Sequence, residues 1–349
     1  MINLATKYSK NVQERFYQES LTQSSFSKDL DMEFTGVKSV KVYDIGTAPM
    51  NNYTRTGTSR YGSPAELEDN VQEFIMTQDR SFTFTIDKGN DMEQNMIKKA
   101  GKAMSRQLRE VVTPEIDKYR FQVWAKNAGQ GAALATPTKD TVFGMLVDAM
   151  AALNNKLVPQ NNRTLYCSVS FYKVLIQCSE YLAIDKLGAG AIAKGKVGEI
   201  LGMDVKMVPD TYLPANVLFM IIYKDSAISP VKLHEYNLHK DPPGISGYLA
   251  EGRFIYDAFV KGTKMDGIYV GATTGNKVAD PTINVSTGTA TLACSTSGAT
   301  IWYTTDGSDP RYSTSRLSGT SVASVTGKLV RCVAMKDGMV MSNVVEKQN

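Results

Sequence analysis

The part of this sequence that comes nearest to a catalytic motif is a glycine-rich stretch at residues 187–202. Within it, Gly190, Gly195 and Lys196 satisfy the G-x-x-x-x-G-K spacing of a phosphate-binding loop. The next residue is Val197, although magnesium coordination needs Ser or Thr at that position. The preceding segment has the pattern of a helix, whereas a strand should precede such a loop. We therefore interpret the stretch as a surface loop.

The histidines and cysteines also lack the spacing of a catalytic or metal site. His234 and His239 are five residues apart, and no Glu lies between them in a zinc-protease arrangement. The four cysteines are far apart in a chain that shows no secretory signal, so we expect reduced, buried thiols, with a bond between Cys294 and Cys332 as an open alternative. We therefore predict no metal, no cofactor and no enzymatic activity. The other two cysteines are Cys167 and Cys178.

The elements that would position functional residues begin with a β-ribbon and a long helix. Apolar residues alternate with polar ones on both sides of a polar stretch, Asn51 to Asn70, which predicts a ribbon from Val37 to Ile86 with an extended tip. Residues 92–116 then carry an apolar side chain every four positions, which predicts a helix of about seven turns. A two-stranded ribbon is only marginally stable in water. The pattern therefore indicates an assembly subunit whose arm is stabilised by other copies.

The tip of the predicted ribbon combines arginines, acids and tyrosines, a mixture that suits a protein interface. A solvated loop is the alternative interpretation. No lysine occurs between Lys41 and Lys88. The residues that we expect at a subunit interface are Tyr53, Arg55, Arg60, Tyr61, Glu66, Glu68, Asp79 and Arg80.

The long helix carries the one concentration of basic residues that could contact a polyanion. Most of these residues lie roughly opposite its methionines, so a solvated helix face and a weak, sequence-independent contact with DNA are both consistent with the pattern. Pro114 should kink the helix or restart it, with Thr113 as the cap. The basic residues are Lys98, Lys102, Arg106 and Arg109.

Length and composition allow two or three domains in these 349 residues. No apolar run approaches the roughly 18 to 20 residues of a membrane span, and the net charge is only +4. Residues 1–36 look like an arm that orders on a partner, and the pattern from Lys139 onward predicts a mixed α/β domain. We expect helices at 142–153 and 171–182, strands at 164–170 and 217–223, and a closing hairpin formed by 253–260 and 267–270.

A separate domain begins after a linker at residues 273–280. From 281 to 349 the chain is rich in Ser, Thr, Gly and Val in short alternating runs, which predicts a small β-sandwich. An aromatic strand followed by an Asp- and Gly-rich turn is a candidate surface-ligand site, although a tight turn with Asx hydrogen bonds is the simpler interpretation. The candidate ligand residues are Trp302, Tyr303, Asp306 and Asp309.

Several segments resemble the major capsid proteins of tailed bacteriophages with the Hong Kong 97-type fold. Residues 39–90, which include Pro49-Met-Asn-Asn-Tyr-Thr-Arg, resemble the extended loop of that family, and 91–126 resemble its spine helix. The resemblance implies an α+β fold with a peripheral part at 91–183 and an axial domain with returning peripheral strands at 184–272. Some capsids of this fold join subunits through a lysine in the extended loop, which this loop lacks. Noncovalent interlocking is therefore expected.

The tail is similar to the immunoglobulin-like repeats at the C-terminus of chitobiase-type enzymes, through the segment Ala299-Thr-Ile-Trp-Tyr-Thr-Thr-Asp-Gly. Together the two resemblances imply a capsid subunit that forms hexamers and pentamers of an icosahedral head around double-stranded DNA. They imply an outward-facing immunoglobulin-like domain, scaffolding and portal proteins as partners, and a virion protein assembled in the bacterial cytoplasm. The alternative is a surface adhesin or carbohydrate-binding protein that uses the C-terminal sandwich to bind a glycan.

Overall fold

The computed structural model describes residues 20–28, 39–45, 50–62, 69–89, 100–178, 198–273, 275, 277–336 and 339–348. These residues fall in two compact units, one within Met1–Val37 and Met76–Asn276 and the other within Lys38–Ile75 and Lys277–Asn349. Residues 187–197 of the glycine-rich stretch, Glu66, Glu68 and Lys98 lie outside the described residues. The surface-loop interpretation of this stretch is wrong at its end, where Glu199–Ile200 forms a strand and Ile200 is buried. Among the described residues, no helix has both the length and the apolar character needed to cross a bilayer.

Within the described residues, the first unit contains four α-helices and eleven strands. The second unit contains nine strands. The helices are α1 (Ala100–Gln107), α2 (Thr113–Lys126), α3 (Val142–Asn155) and α4 (Val169–Leu175). The strands up to residue 273 are β1 (Ser39–Ile45), β2 (Asp69–Ile75), β3 (Gln78–Asp87), β4 (Gln130–Leu134), β5 (Arg163–Ser168), β6 (Glu199–Ile200), β7 (Met203–Val208), β8 (Val217–Tyr223), β9 (Ala227–Ile228), β10 (Val231–Lys240), β11 (Gly247–Tyr256), β12 (Phe259–Val260) and β13 (Ile268–Thr273). The strands of the C-terminal part are β14 (Thr282–Ser286), β15 (Thr289–Ala293), β16 (Thr300–Thr304), β17 (Leu317–Ser318), β18 (Ser321–Val322), β19 (Leu329–Met335) and β20 (Val345–Gln348).

The main core of the first unit lies on a six-stranded mixed sheet with the order β4-β13-β8-β5-β7-β6. The apolar run Val217–Tyr223 forms a central strand, as predicted, and α3 and α4 pack side chains such as Leu146 and Phe171 into the same cluster as Phe219. A strand buried on both faces has no polar alternation, which is why this run is continuously apolar. The resemblance implies a boundary at residue 184 between a peripheral part and an axial domain. Strands from both sides of that boundary pair in this one sheet.

A three-stranded antiparallel sheet has the order β10-β11-β3, and its pairing corrects two predictions. Strand β3 pairs with β11 along its whole length, from Gln78 with Tyr256 to Asp87 with Gly247. The two-stranded ribbon therefore consists of β1 and β2 only. The predicted hairpin of 253–260 with 267–270 is also wrong, because β13 belongs to the six-stranded sheet. Alternation in a sequence identifies a strand but does not identify its partner.

Within the described residues, the long helix consists of α1, a five-residue π segment at Leu108–Val112, and α2. The first part of the predicted helix, residues 92–99, lies outside them. Pro114 lies in the first turn of α2, as predicted, since proline has no N–H to donate there. Thr113 does not cap the helix as expected. Its hydroxyl donates to the Leu108 carbonyl at 3.1 Å, and its backbone N–H donates to the same oxygen. The chain stays helical through a local change in hydrogen-bond spacing, so the predicted interruption is small.

The C-terminal residues form a β-sandwich, as predicted. One sheet has the order β14-β15-β18 and the other β17-β16-β19-β20. Alternate residues of facing strands, such as Leu292, Ile301 and Val330, fill the core between the sheets. Cys294 packs against this core and Cys332 lies within it, and both are free thiols, as are Cys167 and Cys178. Burial raises the pKa of the Cys332 thiol to about 12.

Candidate subunit interface

The tip of the ribbon, residues 50–62, is closed by its own hydrogen bonds. The Thr54 N–H donates to the Arg60 carbonyl at 3.0 Å, and the Gly62 N–H donates to the Ser59 carbonyl at 3.2 Å. The Arg60 Nε donates to the Gly57 carbonyl at 3.1 Å. Gly57 and Gly62 both have a positive φ, which glycine adopts without strain. The tip therefore has a defined local shape.

The large side chains of the tip are exposed. Met50 is 100% exposed and Tyr61 84% exposed, and the rings of Tyr53 and Tyr61 form an edge-to-face pair with centroids 5.1 Å apart. Arg55 and Arg60 are also exposed, and no carboxylate occurs in residues 50–62. The tip thus presents a cationic, aromatic surface. Exposed aromatic and arginine side chains of this kind are enriched where proteins bind each other.

Asp79 and Arg80, which were predicted at the same interface, already have partners within the chain. The Arg253 guanidinium donates to both carboxylate oxygens of Asp79, at 3.0 and 2.6 Å. These hydrogen bonds hold the pKa of the Asp79 carboxyl below its usual value. Arg80 forms an ion pair with Glu115 of α2 at 2.7 Å. Both residues lie on β3, in a sheet, and not on the tip.

A buried carboxylate fixes the chain just after the ribbon. Asp257 accepts hydrogen bonds from the backbone N–H and hydroxyl of Thr77, at 2.7 and 3.0 Å. Its other oxygen accepts from the Tyr119 hydroxyl at 2.7 Å and from the Ala258 N–H at 2.8 Å. Burial and the hydrogen bond to Asp257 raise the pKa of Tyr119 to about 12. Asp257 thereby ties Thr77 to helix α2, an arrangement that no sequence pattern indicated.

Residues 20–28, which we call the strap, are bound to the chain's own helix α2. The Asp117 carboxylate is buried and accepts from the Ser20 hydroxyl at 2.8 Å, the Leu21 N–H at 2.9 Å and the Thr22 hydroxyl at 2.6 Å. Arg120, one turn further along α2, donates to the Thr22 hydroxyl at 2.8 Å. A buried charge is tolerated only when its hydrogen bonds are satisfied in this way.

Further contacts hold the strap on the other side. Lys206 donates to the Leu21 carbonyl at 2.8 Å and to the Ser24 hydroxyl at 2.5 Å, and burial lowers its pKa. The Phe26 ring lies under the Arg120 guanidinium, 4.7 Å from ring centroid to carbon. The prediction that the arm orders on a partner is therefore wrong for residues 20–28. The sequence analysis singled out neither Asp117 nor Arg120, the buried helix pair that binds the strap.

The basic residues of the long helix divide between paired and exposed positions. Arg106 donates to Glu110 at 2.7 Å, so its charge is balanced within the helix. Lys102 and Arg109 are exposed. Lys102, Arg106 and Arg109 lie three to four residues apart, so they share one side of the helix, while Met104 is buried.

The acids of the C-terminal candidate site are used inside their own turn. Asp306 accepts from the Ser308 N–H and hydroxyl, at 3.0 and 2.6 Å, and from the Ser315 hydroxyl at 2.6 Å. The Arg311 guanidinium donates to both oxygens of Asp309, the shortest contact being 2.6 Å. This is the Asx-turn alternative considered above. Within the part of the chain that the structure describes, no group of acids, histidines and cysteines has the arrangement of a metal site.

The aromatic residues of the same candidate site are also covered. The Arg316 guanidinium lies over the Trp302 ring, 4.6 Å from its centroid, and donates to the Arg311 carbonyl. Tyr303 packs against the sandwich core. One face of the Trp302 ring is therefore occupied by an arginine of the same domain.

Similar architectures occur in solved phage structures. A chain from Mycobacterium phage Che8 superposes with a TM-score of 0.64 and 16% identity, covering 78% of this chain and 98% of that one. The capsid structure of the cyanophage P-SCSP1u gives 0.60 and 11%, covering 77% and 93%. The head structure of Helicobacter pylori bacteriophage KHP40 gives 0.57 and 11%, covering 77% and 95%. At this level of identity the likeness concerns the fold.

Sequence comparison identifies the C-terminal part. Residues 281–346 match the family described as chitobiase/beta-hexosaminidase C-terminal domain. No curated protein sequence matches the chain. The predicted fold class is confirmed: the chain has the α+β fold found in phage capsid structures, and it carries a C-terminal immunoglobulin-like domain of the chitobiase type.

Proposed function

We propose that this chain is the major capsid protein of a tailed phage, which self-assembles into hexamers and pentamers of an icosahedral head. The observation that carries the proposal is the coverage of the fold match. Nearly the whole of a phage capsid chain, 93% in the cyanophage structure, has a counterpart here. A match to a shared small motif would leave most of the other chain uncovered.

The ribbon supports the same proposal on physical grounds. Its tip is closed by local bonds while Met50, Tyr53 and Tyr61 are exposed, which is costly for an isolated chain and useful at an interface. In the assembled head, each tip covers part of a neighbouring copy. Each such contact is modest, and the shell is stable because one subunit makes several contacts at once.

Contact with the packaged genome is the role that we assign to the exposed basic side of the long helix. Lys102 and Arg109 face solvent in the unassembled chain, and an array of such residues on the inner surface would bind phosphates without sequence preference. Arg106 contributes less net charge because Glu110 pairs with it. Scaffolding and portal proteins are the further partners, and the head is assembled in the bacterial cytoplasm.

The C-terminal domain is placed on the outside of the head in this proposal. The adhesin alternative requires an accessible ligand site on that domain. Asp306 and Asp309 are bound within their turn, and Arg316 covers Trp302, so the described residues of the candidate site do not favour glycan binding. An outer, structural domain is the role that agrees better with these contacts.

Electron microscopy of the purified full-length chain, with and without a coexpressed scaffolding protein, tests the proposed function. Closed shells with local sixfold and fivefold clusters are the expected result. A chain that stays monomeric under every condition, while residues 281–349 alone bind glycans, would contradict the proposal and favour the adhesin.

A further inference from the structure

Three polar side chains meet in the C-terminal domain, between the segment that enters it and the segment before its last strand, β20. The Asn343 backbone N–H donates to Asp280 Oδ1 at 2.8 Å, and the Asn343 Nδ2 donates to Asp280 Oδ2 at 2.9 Å. The Lys277 Nζ lies 4.0 Å from the same Oδ1. One carboxylate therefore bridges an amine and a carboxamide that come from opposite ends of the domain.

The backbone holds both segments in place. Lys277 forms a parallel β-bridge with Val340, which is buried. Ser342, the residue before the carboxamide, is also buried, and it exchanges hydrogen bonds of 3.0 and 2.9 Å with Ala334 of β19. The amine and the carboxamide are therefore presented to the carboxylate by fixed segments. Groups held in this way react much faster than the same groups in separate molecules.

The environment of Lys277 suits a nucleophile. Only 12% of its side chain is exposed, whereas 46% of the Asp280 side chain is exposed. Burial lowers the pKa of the Lys277 amine, although the charge of Asp280 acts in the opposite direction. A neutral amine is the form that attacks a carbonyl carbon. Asn343 is exposed, so a group released from its side chain can pass directly into solvent.

We propose that Lys277 and Asn343 become joined by an isopeptide bond, with Asp280 as the group that transfers the proton. The neutral Lys277 Nζ attacks the Asn343 Cγ, so the bond from Nζ to Cγ forms and the bond from Cγ to Nδ2 breaks. Asp280 accepts the proton that the attacking nitrogen loses, and it delivers a proton to the departing Nδ2, which it already contacts. One molecule of ammonia leaves. No electrons are transferred and no further reactant is needed.

The bond closes the C-terminal domain covalently between its entrance and its last strand. It lies within one chain, so it differs from a join between subunits, and it does not depend on the proposed function. A covalent closure between distant residues reduces the conformational freedom of the unfolded chain and thereby stabilises the folded domain.

Mass spectrometry of the full-length protein tests the bond. The intact mass should be lower than the mass of the sequence by one molecule of ammonia. Trypsin does not cleave after an acylated lysine, so the digest should contain a branched peptide in which residues 265–311 are joined to residues 337–347. The full mass of the sequence after prolonged incubation at neutral pH, or a loss of ammonia without the branched peptide, would overturn the proposal.

Variants of the full-length chain assign the roles. Lys277→Arg keeps the positive charge but removes the nucleophile, and Asp280→Asn removes the proton transfer, so both should have the full mass of their sequences. The thermal transition of the C-terminal domain should fall by about 10 °C or more in Lys277→Arg. Lys328→Arg, at an exposed lysine of the same domain, is the matched control and should still lose one ammonia. Loss of ammonia from Lys277→Arg would contradict the proposal. These outcomes do not depend on assembly, whereas failure of the wild-type chain to form particles contradicts the capsid proposal alone.

Discussion

The strap and the tip are both short, polar segments without regular secondary structure, yet the strap is buried against its own chain and the tip is exposed. The strap buries Thr22 and Phe26, and its hydroxyls and backbone are bonded to Asp117, Arg120 and Lys206. The tip directs its hydrogen bonds to itself and leaves its large side chains exposed. The difference indicates that the strap completes its own subunit, whereas the tip is available to another copy.

The largest expected effect concerns the anchor of the strap. Asp117→Ala should lower the free energy of unfolding by about 3–5 kcal/mol, because it leaves the buried Arg120 charge without its carboxylate and three donors without an acceptor. Denaturant unfolding of the unassembled chain measures this change. Glu115→Ala, on the same helix but in an exposed ion pair, should cost about 1 kcal/mol or less. Equal losses of unfolding free energy in the two variants would mean that Asp117 stabilises the chain no more than an exposed ion pair does.

The second effect concerns the residue that follows the ribbon. Asp257→Asn should destabilise the chain by about 1–3 kcal/mol, because an amide cannot accept all the hydrogen bonds from Thr77, Tyr119 and Ala258. Amide hydrogen exchange at Thr77 should accelerate in parallel. Asp225→Asn, which removes an exposed ion pair with Lys264, is the control. An unchanged exchange rate at Thr77 would show that Asp257 does not hold this position.

Alkaline pH should weaken the first unit through the same contacts. The folded-state pKa of Tyr119 is raised to about 12, above its value of 10 in an unfolded chain. The folded state therefore retains the proton longer, so the stabilisation is complete below pH 10 and is lost as the pH rises toward 12. The urea midpoint should fall across this range, and the fall should be smaller in Tyr119→Phe. A midpoint that is constant or rises would contradict the buried hydrogen bond.

The smallest effect on stability is expected at the tip. Tyr53→Ala with Tyr61→Ala removes an exposed aromatic pair, so the free energy of unfolding of the unassembled chain should change by about 0.5 kcal/mol or less. The yield of particles should nevertheless fall strongly. Thermal melts and particle counts on the same preparations separate the two effects. A large loss of stability would mean that the tip, like the strap, belongs to its own subunit.

Much of the fold could be predicted from apolar periodicity. The buried strand at 217–223, the helix at 142–155 and the C-terminal sandwich follow from patterns that depend on one element at a time. The pairing of β3 with β11 could not be predicted in this way, because 160 or more residues separate the paired positions and alternation does not identify a partner. The predicted ribbon therefore extended too far.

The candidate interface was predicted only in part, because sequence patterns do not identify long-range partners here either. The exposed arginines and tyrosines of the tip could be recognised from composition. Asp79 and Arg80 belong to the same polar segment but are paired with Arg253 and Glu115, contacts that depend on the fold. The strap was predicted to order on a partner because its sequence is polar. It is held on its own chain because Asp117, Arg120 and Lys206 satisfy its polar groups.

Electron cryomicroscopy of particles formed by the purified chain is the most direct test of the contrast between strap and tip. The account predicts closed shells in which each strap lies on helix α2 of its own subunit and each tip lies against another subunit. Particles in which the tip contacts only its own subunit, or a purified chain that never assembles, would contradict it.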